Sequence, residues 1–268
     1  MAGRKDIEID ELKNIQLTIL DDIASFCEQN GLTYFLTFGT LLGAIRHKGY
    51  IPWDNDIDIA MPRPDYEKFI VLYNRDTSPY RMLCYEVDKS FPLPFGKVID
   101  NRTVMREVMY NEKAIWGVYV DVFPIDGCPN RFRYKMISSL RMLLNAKNAT
   151  IGQGRGWMKD SLISFAKFFT FFLSTSDIVR KIIIISKSVS YCDSDLVGCI
   201  VESDNPYEKI IISKREVFSS FPVQKFEGRE YRIPYGYDEY LRLLYGNYME
   251  FPPIEKRKPT HIFEAWWK

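Results

Sequence analysis

Residues 38–61 read FGTLLGAIRHKGYIPWDNDIDIAM, and this stretch carries the strongest signals for both fold and function. Near its end, the alternation of acidic and apolar residues predicts a strand with one polar face. Side chains two positions apart in a strand point the same way, so we expect Asp56 and Asp58 to project together while Ile57 and Ile59 face the core. Two neighbouring carboxylates repel each other unless a cation lies between them. The pattern therefore predicts a site for a hard divalent ion, Mg²⁺ or Mn²⁺.

A phosphate-binding turn is predicted just before these acids. Gly39 and Thr40 follow a predicted strand and open a predicted helix, so that backbone N–H groups at the helix N-terminus can face an anion. Arg46 is expected to bind phosphate bidentately, with a salt bridge to Asp54 as the alternative. His47 is expected either to contact phosphate or to be a hydrogen-bonded structural residue. Asp54 is predicted to orient Arg46 or His47, or else to be an ordinary acid on the loop. A phosphate cradle beside an acid pair is the arrangement that phosphoryl transfer requires.

A third acid is expected from a neighbouring strand. Asp121 lies in the middle of GVYVDVF, residues 117–123, where apolar residues surround it. A buried carboxylate at such a position is costly unless it is paired or bound to a metal. Asp121 is therefore predicted to be the third metal ligand, or a general base that takes the proton from the attacking hydroxyl group of the acceptor substrate. The alternative is an ordinary acid at the sheet edge. Asp126, in FPIDG, is predicted to be a turn residue.

The remaining pattern predicts an α/β (α+β) fold, with a mixed sheet flanked by helices and an added helical region. We expect one domain over residues 1–268, with a core at about 10–130 and a helical elaboration and C-terminal extension at about 131–268. The predicted helices are 10–30, one from about 40, one that carries 66–73 and is capped by Asp65, 131–147, 161–190 with a loop at 174–177, and 237–245. The predicted strands are 34–38, 56–60, 117–123, which Pro124 closes, and 208–212. Residues 251–268 are predicted to form an ordered, packed tail.

Composition excludes several classes of protein. The chain has 268 residues with 36 Lys and Arg against 35 Asp and Glu, so no global field attracts it to nucleic acid. Its five cysteines are an odd number without CxxC spacing, which favours reduced thiols over a disulfide framework or a zinc knuckle. The charged N-terminus is unlike a secretory signal, and no apolar run reaches membrane-span length. A cytoplasmic protein is expected.

Four blocks of the chain resemble the LicD family of phosphotransferases, to which fukutin-type proteins are related. They are FGTLLGAIRHKGYIPWDNDIDIAMPRPDYEKF, FGKVIDNRT, YVDVFPIDG and YDEYLRLLYGNYMEFPP. The resemblance implies a nucleotidyltransferase-like fold whose site pattern is matched here by Gly39-Thr40, Asp56, Asp58 and Asp121. It also supports Lys97, in the second block, as a phosphate contact. One departure is Asn55, because the family run is commonly WDDDID.

The family likeness implies a reaction. It predicts transfer of phosphocholine from CDP-choline to a sugar of a cell-surface polymer precursor, such as teichoic acid, lipopolysaccharide or capsule, on a lipid-linked glycan acceptor. The alternatives are another phospho-alditol group from a CDP-linked donor, nucleotidyl transfer, or a non-catalytic protein that binds a membrane or polymer. Residues 131–147, with the apolar stretch 162–173, are predicted either to contact the inner face of the cytoplasmic membrane or to form an ordinary helix with a solvated basic face.

Overall fold

A computed structural model of the chain describes residues 5–75, 77–107, 115–149, 161, 164, 173–203, 206–258 and 263–268. Its helices are α1 Ile9–Gln29, α2 Phe38–Arg46, α3 Arg63–Tyr73, α4 Arg131–Asn148, α5 Thr175–Ser186, α6 Tyr207–Ile210, α7 Lys214–Val217 and α8 Tyr237–Tyr245, with short 3-10 helices at Ile200–Glu202 and Ile254–Lys256. Its strands are β1 Lys5–Asp6, β2 Phe35–Leu36, β3 Asp58–Pro62, β4 Tyr80–Leu83, β5 Gly96–Asp100, β6 Thr103–Glu107, β7 Ile115–Trp116, β8 Tyr119–Gly127, β9 Leu196–Gly198, β10 Ile212–Ser213, β11 Val223–Phe226, β12 Arg229–Arg232 and β13 Phe263–Trp267.

The central sheet is mixed and is organised around β8, all of whose residues are buried. β8 pairs in parallel with β3, and β2 continues the sheet beyond β3 in the antiparallel sense. On its other side, β8 pairs antiparallel first with β5 and then with β9. β4 and β10 extend those two branches. This arrangement confirms the predicted α/β (α+β) fold class.

Helices cover the central sheet. α1 buries a stripe at helical spacing, formed by Leu12, Ile15, Ile19, Ile23 and Phe26, against β8 and β5. α3 packs on β3 and β8 through Tyr66, Phe69 and Tyr73 among others. Because both helices bury apolar stripes on the sheet, they fix the strands that carry the predicted acids.

The C-terminal tail is ordered where it is described. β13 inserts between β1 and β6, and β7 completes this second, four-stranded sheet. β11 and β12 form a separate hairpin. The expectation of an ordered tail is thus met by Phe263–Trp267, which pair with Thr103–Glu107. The domain boundaries expected above stay a prediction.

Two predictions about strands were wrong. β3 begins at Asp58 and not at Asp56, and the chain just before it is held from α1, where Gln16 Nε2 donates to the Asn55 carbonyl. β8 also continues through Pro124 to Gly127. Pro124 falls in the gap between β5 and β9 as partners of β8, so its missing N–H leaves no ladder bond unmade.

Asp126 is the clearest correction, because it lies in β8 and not in a turn. Its carboxylate is buried and accepts two hydrogen bonds of 2.6 Å from Arg63, one from Nε and one from Nη2. This bidentate ion pair ties the start of α3 to the end of β8. The local Pro-Ile-Asp-Gly composition mimics a turn, whereas the distant guanidinium stabilises a strand.

Three further boundaries differ from prediction. Asp65 is not the helix cap: it lies in the first turn of α3, where it accepts a hydrogen bond from the Thr33 N–H. Residues 208–212 are a single helical turn followed by the short β10. The loop predicted at 174–177 is the start of α5, which Ser174 caps by accepting from the Asp177 N–H. Most of the predicted helix over 161–172 lies outside the described residues.

α4 confirms the predicted helix over 131–147, and its buried side is more polar than expected. The inward stripe contains Arg141 and Asn148 beside apolar residues, so the basic residues do not all lie on a solvated face. Phe132 and Met142 are exposed on the outer side. Membrane contact by this helix stays a prediction. Within the described ranges, no helix is both long and apolar enough to cross a bilayer.

Candidate active site

Three charged residues form a row across adjacent strands of the central sheet. Asp58 on β3 is the register partner of Asp121 on β8, and Asp121 is the register partner of Lys97 on β5. Residues directly opposite each other in a sheet project from the same face. The sheet therefore brings two predicted acids and the predicted phosphate-binding lysine to one place. Because β3 and β5 flank Asp121, this residue is not at a sheet edge.

Lys97 and Asp121 form a buried ion pair. Lys97 Nζ donates to Asp121 Oδ1 over 2.7 Å, and both residues are largely buried. The same ammonium lies 3.3 Å from the centre of the Tyr119 ring. Burial raises the pKa of Asp121 to about 6, with Lys97 opposing the shift and the neighbouring Asp56 adding to it. Lys97 thus compensates a carboxylate that would be costly if buried alone.

The row opens into a cavity of about 1090 Å³. Its described lining includes seven acidic and three basic side chains, so its own charge is strongly negative. A negative cavity of this kind favours cations and repels phosphates unless a cation accompanies them. The described lining includes Phe38, Gly39, Arg46, Trp53, Asp54, Asp56, Asp58, Lys97, Trp116, Asp121, Arg141, Asn145, Asn148, Glu202 and Phe251.

The donor set fits a hard divalent cation in its chemistry. Asp56, Asp58 and Asp121 all line the cavity and offer carboxylate oxygens, which Mg²⁺ and Mn²⁺ prefer. No group of three acidic, histidine or cysteine side chains among the described residues already lies at metal-ligand spacing. Mg²⁺ usually takes only one or two protein carboxylates and completes its coordination with water and substrate phosphates. The set is therefore compatible with a cation that is bound together with a phosphorylated substrate.

The first turn of α2 forms one end of the cavity. Phe38 has φ of 45°, a conformation that is uncommon outside glycine and clusters at functional sites. Its ring packs edge-on against Phe123 at 5.1 Å. Gly39 lines the cavity beside it, whereas Thr40 does not: its Oγ1 accepts a 2.8 Å hydrogen bond from the Asp58 N–H. The predicted turn thus exposes a helix N-terminus and also fixes the first residue of β3.

Arg46 lines the cavity, but part of its guanidinium is used within the protein. Its Nη1 donates to the carbonyls of Tyr248 at 2.6 Å and Glu250 at 3.2 Å. Its guanidinium carbon lies 4.9 Å from the centre of the Phe251 ring. Arg46 therefore holds the segment after α8 against the cavity mouth, in addition to the phosphate contact predicted for it.

His47 lies outside the described lining of the cavity. Its ring packs edge-on against Phe251 at 5.4 Å and Trp53 at 6.4 Å. Arg46 Nε donates to its Nδ1 over 3.4 Å. Burial lowers the pKa of His47, and the adjacent Arg46 lowers it further. These contacts favour the structural alternative for His47, a neutral ring that supports the cavity rim.

Asp54 and Asn55 form the loop that precedes β3. Asp54 covers Gly39, where a Cβ would meet Asp54 Oδ2 at 2.7 Å. Its other oxygen, Oδ1, accepts from the Asn55 N–H at 3.2 Å. Asn55 itself is buried and does not line the cavity, and Gln16 binds its carbonyl. The departure from the family run at Asn55 therefore lies beside the predicted site and not in its described lining.

Sequence reasoning missed the wall of the cavity that α4 supplies. Arg141, Asn145 and Asn148 lie at positions i, i+4 and i+7, and Glu202 faces them from a 3-10 helix. The signal was present in the buried stripe of α4, where Tyr134, Ile137, Arg141, Leu144 and Asn148 alternate in steps of three and four. Polar residues at core-facing helical positions indicate a buried polar site or cavity.

Comparison with known proteins identifies relatives of this chain. The family model described as "LicD/FKTN/FKRP, nucleotidyltransferase domain" matches residues 31–135, which contain Gly39, Asp56, Asp58, Lys97 and Asp121. The lipopolysaccharide cholinephosphotransferase LicD of Haemophilus influenzae is 30% identical over 277 residues, covering 98% of this chain and 99% of that protein. An uncharacterised protein of Rickettsia typhi is 39% identical over 65 residues, 24% of this chain and 21% of its own length. With a relative that aligns from end to end and a matching family model over the acid row, the chain belongs to the LicD family.

Proposed function

We propose that this chain transfers phosphocholine from a CDP-choline-type donor to a sugar hydroxyl of a cell-surface polymer precursor. Family membership makes it a phosphotransferase, and its full-length relative is named for cholinephosphotransferase activity on lipopolysaccharide. The observation that carries the proposal is the row of Asp58, Asp121 and Lys97 at a large negative cavity. Teichoic acid and capsule precursors are further acceptors of the same chemistry.

We infer that Asp56, Asp58 and Asp121 hold a divalent cation together with the donor diphosphate. The chemistry that such a cation would supply is neutralisation of the charge on the phosphoryl oxygens. The negative lining supports this assignment, because a diphosphate enters it unfavourably without a cation. The first turn of α2 at Gly39 and the guanidinium of Arg46 line the same cavity, which supports them as contacts for the remaining phosphate oxygens.

The transfer also requires a group that takes a proton from the acceptor hydroxyl. As the acceptor oxygen bonds to the choline-bearing phosphorus, the bond from that phosphorus to the oxygen of the departing CMP breaks, and the acceptor hydroxyl loses its proton. A carboxylate within hydrogen-bond reach can accept that proton. Asp121 is the candidate for this role. Lys97 holds its Oδ1, so its Oδ2 is the oxygen that would accept the proton. Service as the third metal ligand is the alternative role for Asp121.

Aromatic side chains support a choline-bearing substrate. Trp53, Phe251 and Trp116 belong to the described lining. Each ring already has a cationic side chain of the protein over it, from Arg257, Arg46 and Lys97 respectively, and aromatic faces attract quaternary ammonium ions in the same way. A donor with another CDP-linked alditol would not use this attraction. Reaction in the cytoplasm, at the membrane face where lipid-linked acceptors are presented, completes the proposal.

Incubation of the purified protein with CDP-choline, Mg²⁺ and a panel of lipid-linked oligosaccharides tests the proposal. Mass spectrometry of the acceptor should find added phosphocholine, with CMP released in equal amount. CDP-ribitol and CDP-glycerol in parallel reactions test the alternative donors. Release of pyrophosphate from a nucleoside triphosphate, without a modified sugar, would favour nucleotidyl transfer. Retention of the cellular phenotype by Asp58→Ala would favour a non-catalytic binding protein.

A further inference from the structure

The cavity has two walls of different chemistry. The α2 wall is formed by Gly39, Arg46 and Trp53, and the α4 wall by Arg141, Asn145, Asn148 and Glu202. The α2 wall offers a helix N-terminus and a guanidinium, which suit phosphate. The acid row lies in the same cavity as both walls.

The α4 wall has a compensated charge. Arg141 is buried, and its Nη2 donates to Glu202 Oε1 over 2.7 Å. A guanidinium that already carries a carboxylate partner attracts a phosphate far less than one without such a partner. The other two members of the wall, Asn145 and Asn148, are uncharged amides. The wall therefore suits a neutral ligand with many hydroxyl groups better than a diphosphate.

The two amides of the wall differ in their surroundings. Asn148 is buried, and its Nδ2 donates to the Pro92 carbonyl over 3.3 Å. Asn145, one turn earlier, lines the cavity and is exposed. Amides can both donate to and accept from a hydroxyl group, which is the match that sugar hydroxyls require.

The cavity lies at the upper end of the size range of ligand sites. Its volume of about 1090 Å³ compares with roughly 300–1,000 Å³ for pockets that enclose a single small ligand. A group transfer needs the donor phosphorus and the acceptor oxygen side by side. With the acid row in the same cavity, one wall for each substrate meets that need.

We propose that the α4 wall is the acceptor subsite, and that Asn145 and the Arg141–Glu202 pair hydrogen-bond hydroxyl groups of the acceptor sugar. This inference rests on the proposed function and deepens it, since it assigns the neutral sugar to one wall and the charged donor to the other. Asn145 is then a residue that determines acceptor specificity.

The test separates acceptor recognition from donor chemistry. Asn145→Leu should raise the KM for methyl glycosides of glucose, galactose or N-acetylgalactosamine roughly 10-fold, since one or two hydrogen bonds are lost. Hydrolysis of CDP-choline by water, measured without an acceptor, should stay within about 2-fold of wild type, because the donor lies on the other wall. Ser139→Ala, at an exposed position of the same helix, is the matched control and should change neither value.

Binding measured without turnover keeps the two proposals distinguishable. Saturation-transfer NMR should detect the glycosides on the wild type, and a weaker signal on Asn145→Leu. If the wild type binds the glycosides, Asn145→Leu binds them more weakly and neither protein transfers phosphocholine, the proposed function fails while the α4 wall stands as a sugar-binding site. Equal glycoside binding or equal acceptor KM in both proteins would overturn the assignment. So would absent glycoside binding to the wild type, or a parallel loss of donor hydrolysis in the variant.

Discussion

Lys97 Nζ lies 2.7 Å from Asp121 Oδ1, where β5 and β8 pair in register. The two residues are 24 positions apart in the chain, and both are buried. Asp58 continues the row on the other side of Asp121. The sheet register therefore gives the central carboxylate a fixed cation on one side and a second carboxylate on the other. A divalent ion that binds here meets an acid already oriented by a lysine.

Lys97→Met is expected to lower the free energy of unfolding by about 3–5 kcal/mol, because it leaves the Asp121 carboxylate buried without its partner. The measurement is urea denaturation in the presence of a chelator, so that no metal replaces the ammonium. Phosphotransfer should be lost as well, since Asp121 is no longer held at Oδ1.

The double variant Lys97→Met/Asp121→Leu is the control for that prediction. Replacing both ions by apolar side chains removes the unpaired charge, so much of the lost stability should return. Losses for the single variants Lys97→Met and Asp121→Leu that sum to the loss for the double variant would show that the two side chains are not coupled.

Removal of divalent ions should abolish transfer, and added Mg²⁺ should restore it. Asp58→Asn should raise the Mg²⁺ concentration needed for half-maximal activity at least roughly 10-fold, since a neutral amide is a weaker ligand for a hard cation. Titration of Mg²⁺ into chelator-treated protein provides the measurement. Asp193→Asn, an exposed acid outside the described lining, is the matched control. Full activity in excess chelator would contradict metal dependence.

Thr40→Val should disturb the site without changing its charge. The substitution is nearly isosteric but removes the oxygen that accepts from the Asp58 N–H at 2.8 Å. We expect a loss of about 1–3 kcal/mol in unfolding free energy for the unsatisfied donor, and a roughly tenfold lower kcat from the displaced carboxylate. Thr40→Ser keeps the oxygen and should keep most of the kcat. Similar kcat values for Thr40→Val and Thr40→Ser would show that the Thr40 hydroxyl does not position Asp58.

The sequence predicts the two acids of the row, Asp58 and Asp121, better than it predicts the contact that Lys97 makes with them. The DIDIA alternation correctly places Ile57 and Ile59 in the core, since both are fully buried. It does not predict that Lys97 binds Asp121, because that contact depends on the register between two strands, which local pattern leaves open. Lys97 is accordingly interpreted as a phosphate contact from the sequence, whereas the structure adds a buried ion pair.

Local composition also misleads where a distant group decides the structure. Asp126 lies in a Pro- and Gly-containing stretch that is typical of turns, yet Arg63 holds it in a strand. Arg141 belongs to a basic helix, yet Glu202 stabilises it inside the cavity wall. In both cases the partner is more than 60 residues away in the sequence, because Arg63 and Asp126 are 63 positions apart and Arg141 and Glu202 are 61 positions apart.

Arg63→Lys should destabilise the fold while leaving substrate binding intact. Lysine cannot reproduce the bidentate contact with Asp126, so we expect a loss of about 1.5–3 kcal/mol in unfolding free energy. Thermal unfolding measures the loss, and unchanged KM values for donor and acceptor separate it from the active site. Arg180→Lys removes a guanidinium from an exposed 3.3 Å pair with Asp177 and should leave the unfolding free energy close to that of the wild type. Equal losses in the two variants would contradict a structural role for the buried pair.

Gly43→Ala should destabilise the protein although alanine favours helices. A Cβ at Gly43 would lie 2.5 Å from the Gly49 carbonyl oxygen and 3.4 Å from the Ile51 N, both of which are backbone atoms. The helix and the loop before the acids must then separate, at a cost of about 1–3 kcal/mol that exceeds the roughly 0.5–1 kcal/mol gained in helix propensity. Gly39→Ala, in the same helix, meets only the end of the Asp54 side chain and should retain near-wild-type unfolding free energy. If urea denaturation gave Gly43→Ala and Gly39→Ala the same unfolding free energy, the close approach of α2 to this loop would not require a glycine at position 43.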